Sequence, residues 1–112
     1  MSVSLTISRP GHETEFVSMC GQRTAEEWVG EVARKRGFRI LTGVYPAFMS
    51  EPGDLDRAIH EVSILRDEMH LWMDSDEPLN DEEKHWNRER WDRLLARLAQ
   101  LKDEPESVAY FG

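Results

Sequence analysis

LDRAIHEVSILRDEMHLW, residues 55–72, is the stretch that decides the architecture. Leu55, Ala58, Val62, Leu65, Met69 and Trp72 recur at spacings of three and four, the period of one helix face. Ile59, Ile64, Leu71 and Met73 widen that stripe, so the helix is predicted to touch two neighbours. Asp54 or Ser50 is placed to cap its start. A short polar break containing Pro78 follows at residues 74–79. Asn80 then stands as the cap of a second long helix ending near Lys102, in which Trp91, Leu94, Leu98 and Leu101 keep the same spacing. Two matched apolar stripes joined by a short loop predict an antiparallel helical hairpin over residues 54–102.

Upstream of the hairpin the period changes. Val3, Leu5 and Ile7 alternate with Ser2, Ser4, Thr6 and Ser8, as in a half-buried strand. Arg9-Pro10-Gly11-His12 is a turn signal. Glu15 to Cys20 reads as a second strand of the same β-hairpin, with Phe16 and Cys20 on one face and Val17 and Met19 on the other. Thr24 and Glu27 have the spacing of a capping box. Behind them Ala25, Trp28, Val29, Val32 and Ala33 form one apolar stripe of a helix. Arg34-Lys35-Arg36 followed by Gly37 is what a helix C-terminus favours. Phe38 to Tyr45 is predicted as a third strand, with Phe38, Ile40 and Val44 on one side, ended by Pro46. Glu104 to Gly112 starts polar and ends with Val108, Tyr110 and Phe111, a frayed tail or a late edge strand.

The expected fold is therefore α+β in one domain, residues 1–112. A small three-stranded antiparallel sheet (β-β-α-β, residues 1–46) carries on one face the C-terminal helical hairpin (54–102), with 103–112 as a tail. A chain of 112 residues suffices for one core. Cys20 is the single cysteine, which excludes an internal disulfide and suits a reducing compartment. The N-terminus lacks the basic start and apolar run of a signal peptide. No apolar run approaches the about 20 residues that span a bilayer. A cytoplasmic location and no membrane partner are expected.

The net charge of −8 is unevenly spread. Residues 1–53 hold six acids and six bases, whereas residues 54–112 hold sixteen acids and eight bases. Between Asp67 and Glu83 there are eight acids and no Lys or Arg. Nucleic-acid binders carry the opposite footprint, so direct DNA or RNA binding is not expected.

Few residues have the spacing of a chemical site. Asp67 with His70, and Glu82 with His85 and Glu89, resemble carboxylate–histidine pairs on facing helices, but such sites need four helices and inward ligands. Asp74-Ser75-Asp76 with Asn80 and Glu82 begins like a calcium loop, yet Leu79 and His85 stand where its Gly and bidentate Glu belong. Cys20 with His12 across the β-hairpin is the one nucleophile candidate, and a lone strand cysteine is more often core. Arg88, Arg90, Arg93 and Arg97 read as a solvated helix face, with Glu89 and Arg93 four apart. No cofactor, no metal and no enzymatic activity are expected.

What remains is the acidic hairpin tip. Asp81, Glu82 and Glu83 open a helix, where the macrodipole favours negative charge. Asp74, Asp76 and Glu77 follow a helix end, where it does not. Trp72 and Trp86 flank them, and aromatics beside a charged rim are frequent at binding hot spots. Trp72, Asp74, Asp76, Glu77, Asp81, Glu82 and Trp86 are thus the candidate partner-binding residues. The expected function is a small acidic inhibitor that binds a protein with a basic surface, as immunity proteins, antitoxins and phage anti-defence proteins do. The alternative is an assembly module forming homo-oligomers, a homodimer being the simplest.

Overall fold

The computed structural model describes residues 2–21, 25–51, 53–73 and 81–112, with the backbone alone at Ser2, Glu27, 69–73 and 81–87. Its elements, in chain order, are β1 (Ser2–Ser8), β2 (Glu15–Gly21), a π-helical turn (Ala25–Val29) running into α1 (Gly30–Arg36), β3 (Ala47–Phe48), α2 (Asp54–Met73), α3 (Asp81–Leu101) and β4 (Val108–Phe111). The strands make one antiparallel sheet in the order β2-β1-β4-β3, and the molecule measures 43 × 29 × 23 Å.

The β-hairpin forms where its turn chemistry places it. His12 N–H donates to the Arg9 carbonyl at 3.2 Å, and Gly11 between them has φ of 76°. Pro then Gly supplies the fixed and the positive φ such a turn needs. Val3, Leu5 and Ile7 all enter the core. The facing of β2 differs from the expected one. Val3 pairs with Cys20 but Ser4 with Ser18, so Met19 is an extra residue in a bulge. A bulge breaks the period of two. Met19 and Cys20 therefore both point into the core, Val17 packs beside them, and Phe16 faces outward.

The sheet has four strands rather than three, and its third member is not the expected one. Residues 38–45 form no strand. Ile40 and Leu41 are buried, but Val44 is exposed. The cause lies in α2. Glu61 Oε1 accepts from the Ile40 and Leu41 amides at 3.0 and 2.9 Å, and its Oε2 accepts from the Arg39 amide at 3.2 Å. Successive amides of a strand point to opposite sides, so three that converge on one carboxylate cannot also serve a ladder. The strand place is taken instead by β3 and by the tail. β4 lies between β1 and β3, with Phe111 opposite both Leu5 and Ala47. Phe111 is fully buried, so this segment is an interior strand and neither frayed nor an edge.

The helices follow their stripes. Ala25, Trp28, Val29, Val32 and Ala33 are all buried, and α1 ends at Gly37 with φ of 69°. Thr24 lies outside the described residues. In α2, Ala58, Val62 and Leu65 are buried; in α3, Trp91, Leu94, Leu98 and Leu101 are. The Asp54 carboxylate accepts from the Glu51 amide at 2.9 Å, fixing the entry to α2. Lys102, Asp103 and Glu104 amides donate back three residues to Ala99, Gln100 and Leu101, which closes α3 without a glycine. Asp56 pairs with Lys102 near one end of α2 and α3, and Arg66 with Asp92 at 3.1 Å ten residues along each helix. The two helices are thus antiparallel in constant register. They share one core with the inner face of the sheet. No helix among the described residues is long and apolar enough to cross a membrane.

Candidate functional site

The hairpin that carries the acidic run is anchored at its base. The Trp91 ring meets the Trp28 ring edge to face at 6.2 Å, and both are buried. Beyond Trp91 toward its N-terminus, α3 continues for ten residues, about 15 Å of helix. The register fixed by the Asp56–Lys102 and Arg66–Asp92 pairs, continued along the two backbones, brings positions 72 and 86 level with one another.

Of the acids between 67 and 83, the structure describes the side chains of two. Asp67 accepts from Arg66 at 3.3 Å, and Glu68 pairs with Arg36 of α1. Both are partnered where the hairpin leaves the body of the fold. Asp74, Asp76 and Glu77 lie outside the described residues. The positions of Trp72, Asp81, Glu82 and Trp86 lie on described helix backbone, and their side chains lie outside the described residues.

The chemical candidates fare differently. Cys20 sits at the far end of the β-hairpin from His12, paired with Val3, so the structure does not bring the two together. Burial pushes the Cys20 thiol up to about 12, against a small opposing pull from Arg90. A thiol so placed stays protonated at neutral pH and is a poor nucleophile. Tyr45 is part of the same interior. Burial raises its hydroxyl pKa well above the ordinary value, and Cys20 and Glu61 add to the rise. The Tyr45 hydroxyl is buried with no hydrogen-bond partner. Asp67 and Glu89 are exposed, while His70, Glu82 and His85 have side chains outside the described residues. Among the described residues no three His, Cys, Asp or Glu side chains stand together as metal ligands.

Arg97, one of the four helix arginines expected on a solvated face, is instead largely buried in an ion-pair network. Its guanidinium donates to Glu15 at 2.7 Å and to Glu104 at 2.6 Å, and Arg9 joins Glu104 at 3.0 Å. The network ties α3 to β2, to the start of β1's turn and to the loop before β4. Glu104 is held below the ordinary carboxylate range, first by its hydrogen bond from Arg97. A shallow groove lies between α1 and the 42–44 loop, lined by Glu26, Glu31, Arg34 and Thr42 around Gly30 and Gly43.

The sequence pattern did not reveal the outer face of the sheet. Phe16, Phe48 and Val108 are 69, 58 and 64% exposed there. The signal was present in β1, whose outward positions are all Ser or Thr, but the bulge in β2 and the place of β4 were not legible. Compared with protein-family models, with curated protein sequences and with solved structures, the chain matches none.

Proposed function

We propose that this protein is a small acidic inhibitor that binds another protein through the tip of the α2–α3 hairpin and covers a basic surface on it. The observation that carries the reading is the run of eight acids without a Lys or Arg between Asp67 and Glu83. That run straddles the junction of two antiparallel helices. Asp67 and Glu68 are already paired at the base, so the surplus charge resides in the acids from Asp74 onward. A concentrated field of one sign steers a partner of the other sign and raises its association rate. Trp72 and Trp86, level on the two helices, would supply the apolar anchor that charge alone lacks. No nucleic acid, membrane or cofactor enters this reading.

The test is affinity capture from the native cell followed by kinetics with the captured protein. The expected partner is basic. Its association rate falls at least about tenfold between low and high salt. Changing Asp74→Asn, Asp76→Asn and Glu77→Gln together lowers the same rate at low salt. Binding that ignores both salt and the triple substitution rejects the proposal.

A further inference from the structure

The sheet has two faces, and the helices cover one. On the other, register places one residue from each strand in a single row across the sheet. Phe16 of β2 lies opposite Thr6 of β1, Thr6 opposite Tyr110 of β4, and Tyr110 opposite Phe48 of β3. The Tyr110 and Phe48 rings stand 5.2 Å apart, tilted by 35°. Thr6, between Phe16 and Tyr110 in that row, is only 5% exposed. The Tyr110 ring also lies back over Gly112, where a Cβ would come within 3.0 Å of it.

The rest of the face is as unusual. Its other outward strand positions are Ser2, Ser4, Ser8, Ser18, Gly21 and Val108. None is charged, although 32% of the chain's residues are. A lone exposed Phe needs no explanation, but a row of aromatics on an uncharged sheet face does.

We infer that this face is where a second copy of the chain docks, sheet against sheet. Charge selects that occupant. Two molecules of net charge −8 repel wherever their charged surfaces meet, and this face lets them approach without juxtaposing like charges. Its polar groups are hydroxyls, each both donor and acceptor, and so complementary to themselves across a two-fold axis. Among the described residues the face carries no cation to hold a phosphate, which disfavours a nucleic acid stacked on the aromatics. Four strands about 4.8 Å apart give a face of roughly 300–400 Å² in projection, small beside a standard interface, so the dimer is a reversible one.

Sedimentation equilibrium of the full chain tests this. A monomer–dimer equilibrium is expected, with a dissociation constant on the order of 10–100 µM. Phe16→Glu and Phe48→Glu each weaken it at least about tenfold, because each would carry an unpaired charge out of water into the interface. Both positions are exposed, so circular dichroism should show the fold retained. Val44→Glu, at an exposed site off the sheet, leaves the dimer unchanged. So does the triple substitution at the hairpin tip, which separates this inference from the proposed inhibitor function. A monomer at millimolar concentration overturns it, as does a dimer indifferent to Phe16→Glu and Phe48→Glu. Binding of a single-stranded oligonucleotide through Phe16 and Phe48 by a monomer would overturn it in favour of that ligand.

Discussion

Glu61, on the buried stripe of α2, holds the amide of Leu41 at 2.9 Å and with it the chain from Arg39 to Leu41. The carboxylate is 2% exposed, and three backbone donors satisfy it. Removing it strands those donors in the interior. Glu61→Ala is expected to cost about 2–4 kcal/mol. Glu61→Gln keeps one accepting oxygen and should cost about half as much. Urea unfolding of the two variants checks both the size and the order.

Trp28 and Trp91 meet edge to face, joining α1's entry turn to the hairpin. Trp91→Ala should destabilise by about 3–5 kcal/mol. A double-mutant cycle with Trp28→Leu and Trp91→Leu should leave a coupling of about 0.5–1.5 kcal/mol. A coupling near zero would mean that the rings contribute only by the area they bury.

Gly43 and Gly30 should respond oppositely to alanine. Gly43 has φ of 92°, and a Cβ on it would stand 3.0 Å from the Gly30 Cα. Gly43→Ala is expected to cost about 1–3 kcal/mol. At Gly30, the first residue of α1, an added Cβ meets nothing closer than 3.8 Å. Gly30→Ala should be neutral or stabilise by up to about 1 kcal/mol. Thermal melts of both variants decide it.

Cys20 makes the fold sensitive to alkali. Its thiol is pushed up to about 12 by burial, whereas an unfolded thiol titrates near about 8.5. A folded pKa above the unfolded one means full stability below the unfolded value and progressive loss above it. Between those two values stability should fall by up to about 1.4 kcal/mol per pH unit, and Tyr45 adds to the fall above about pH 10. Cys20→Ala should flatten the profile between about pH 8.5 and 10 while leaving neutral pH behaviour shifted only by a constant. Denaturant midpoints measured across that range give the slope.

Arg97 and Glu104 act at the other end of the scale. Glu104 is held below its ordinary value, first by the Arg97 hydrogen bond. Its contribution is therefore present above the unfolded carboxylate value and lost as pH falls through the range beneath it, below about pH 4.3. Glu104→Gln should make the acid limb of the stability curve shallower and leave the shape of the curve above about pH 6 unchanged. Arg97→Met should lower stability at neutral pH and shift acid unfolding to a higher pH.

Local pattern carried much of the architecture. The stripes Ala58-Val62-Leu65 and Trp91-Leu94-Leu98-Leu101, the Pro10-Gly11 turn and the Gly37 stop are each legible because a helix face or turn is written within a few residues. Glu61 was legible in principle as well. It stands three residues after Ala58 and four before Leu65, and an acid on a buried stripe must find donors. Which donors it finds is not local, and that choice removed the expected strand over 38–45.

By itself, then, the sequence determined an α+β chain, the helical hairpin, the first β-hairpin and the uneven charge. Those depend on spacings and counts within one segment. Only the tertiary structure decided that Val108–Phe111 inserts beside β1, that a bulge at Met19 turns Cys20 inward while Phe16, opposite Thr6, faces outward, and that Arg97 binds Glu15. Each joins residues far apart in the chain, where register is set by which apolar side chains fill the core together. The row Phe16-Thr6-Tyr110-Phe48 follows from that register, because it draws one residue from each of four strands.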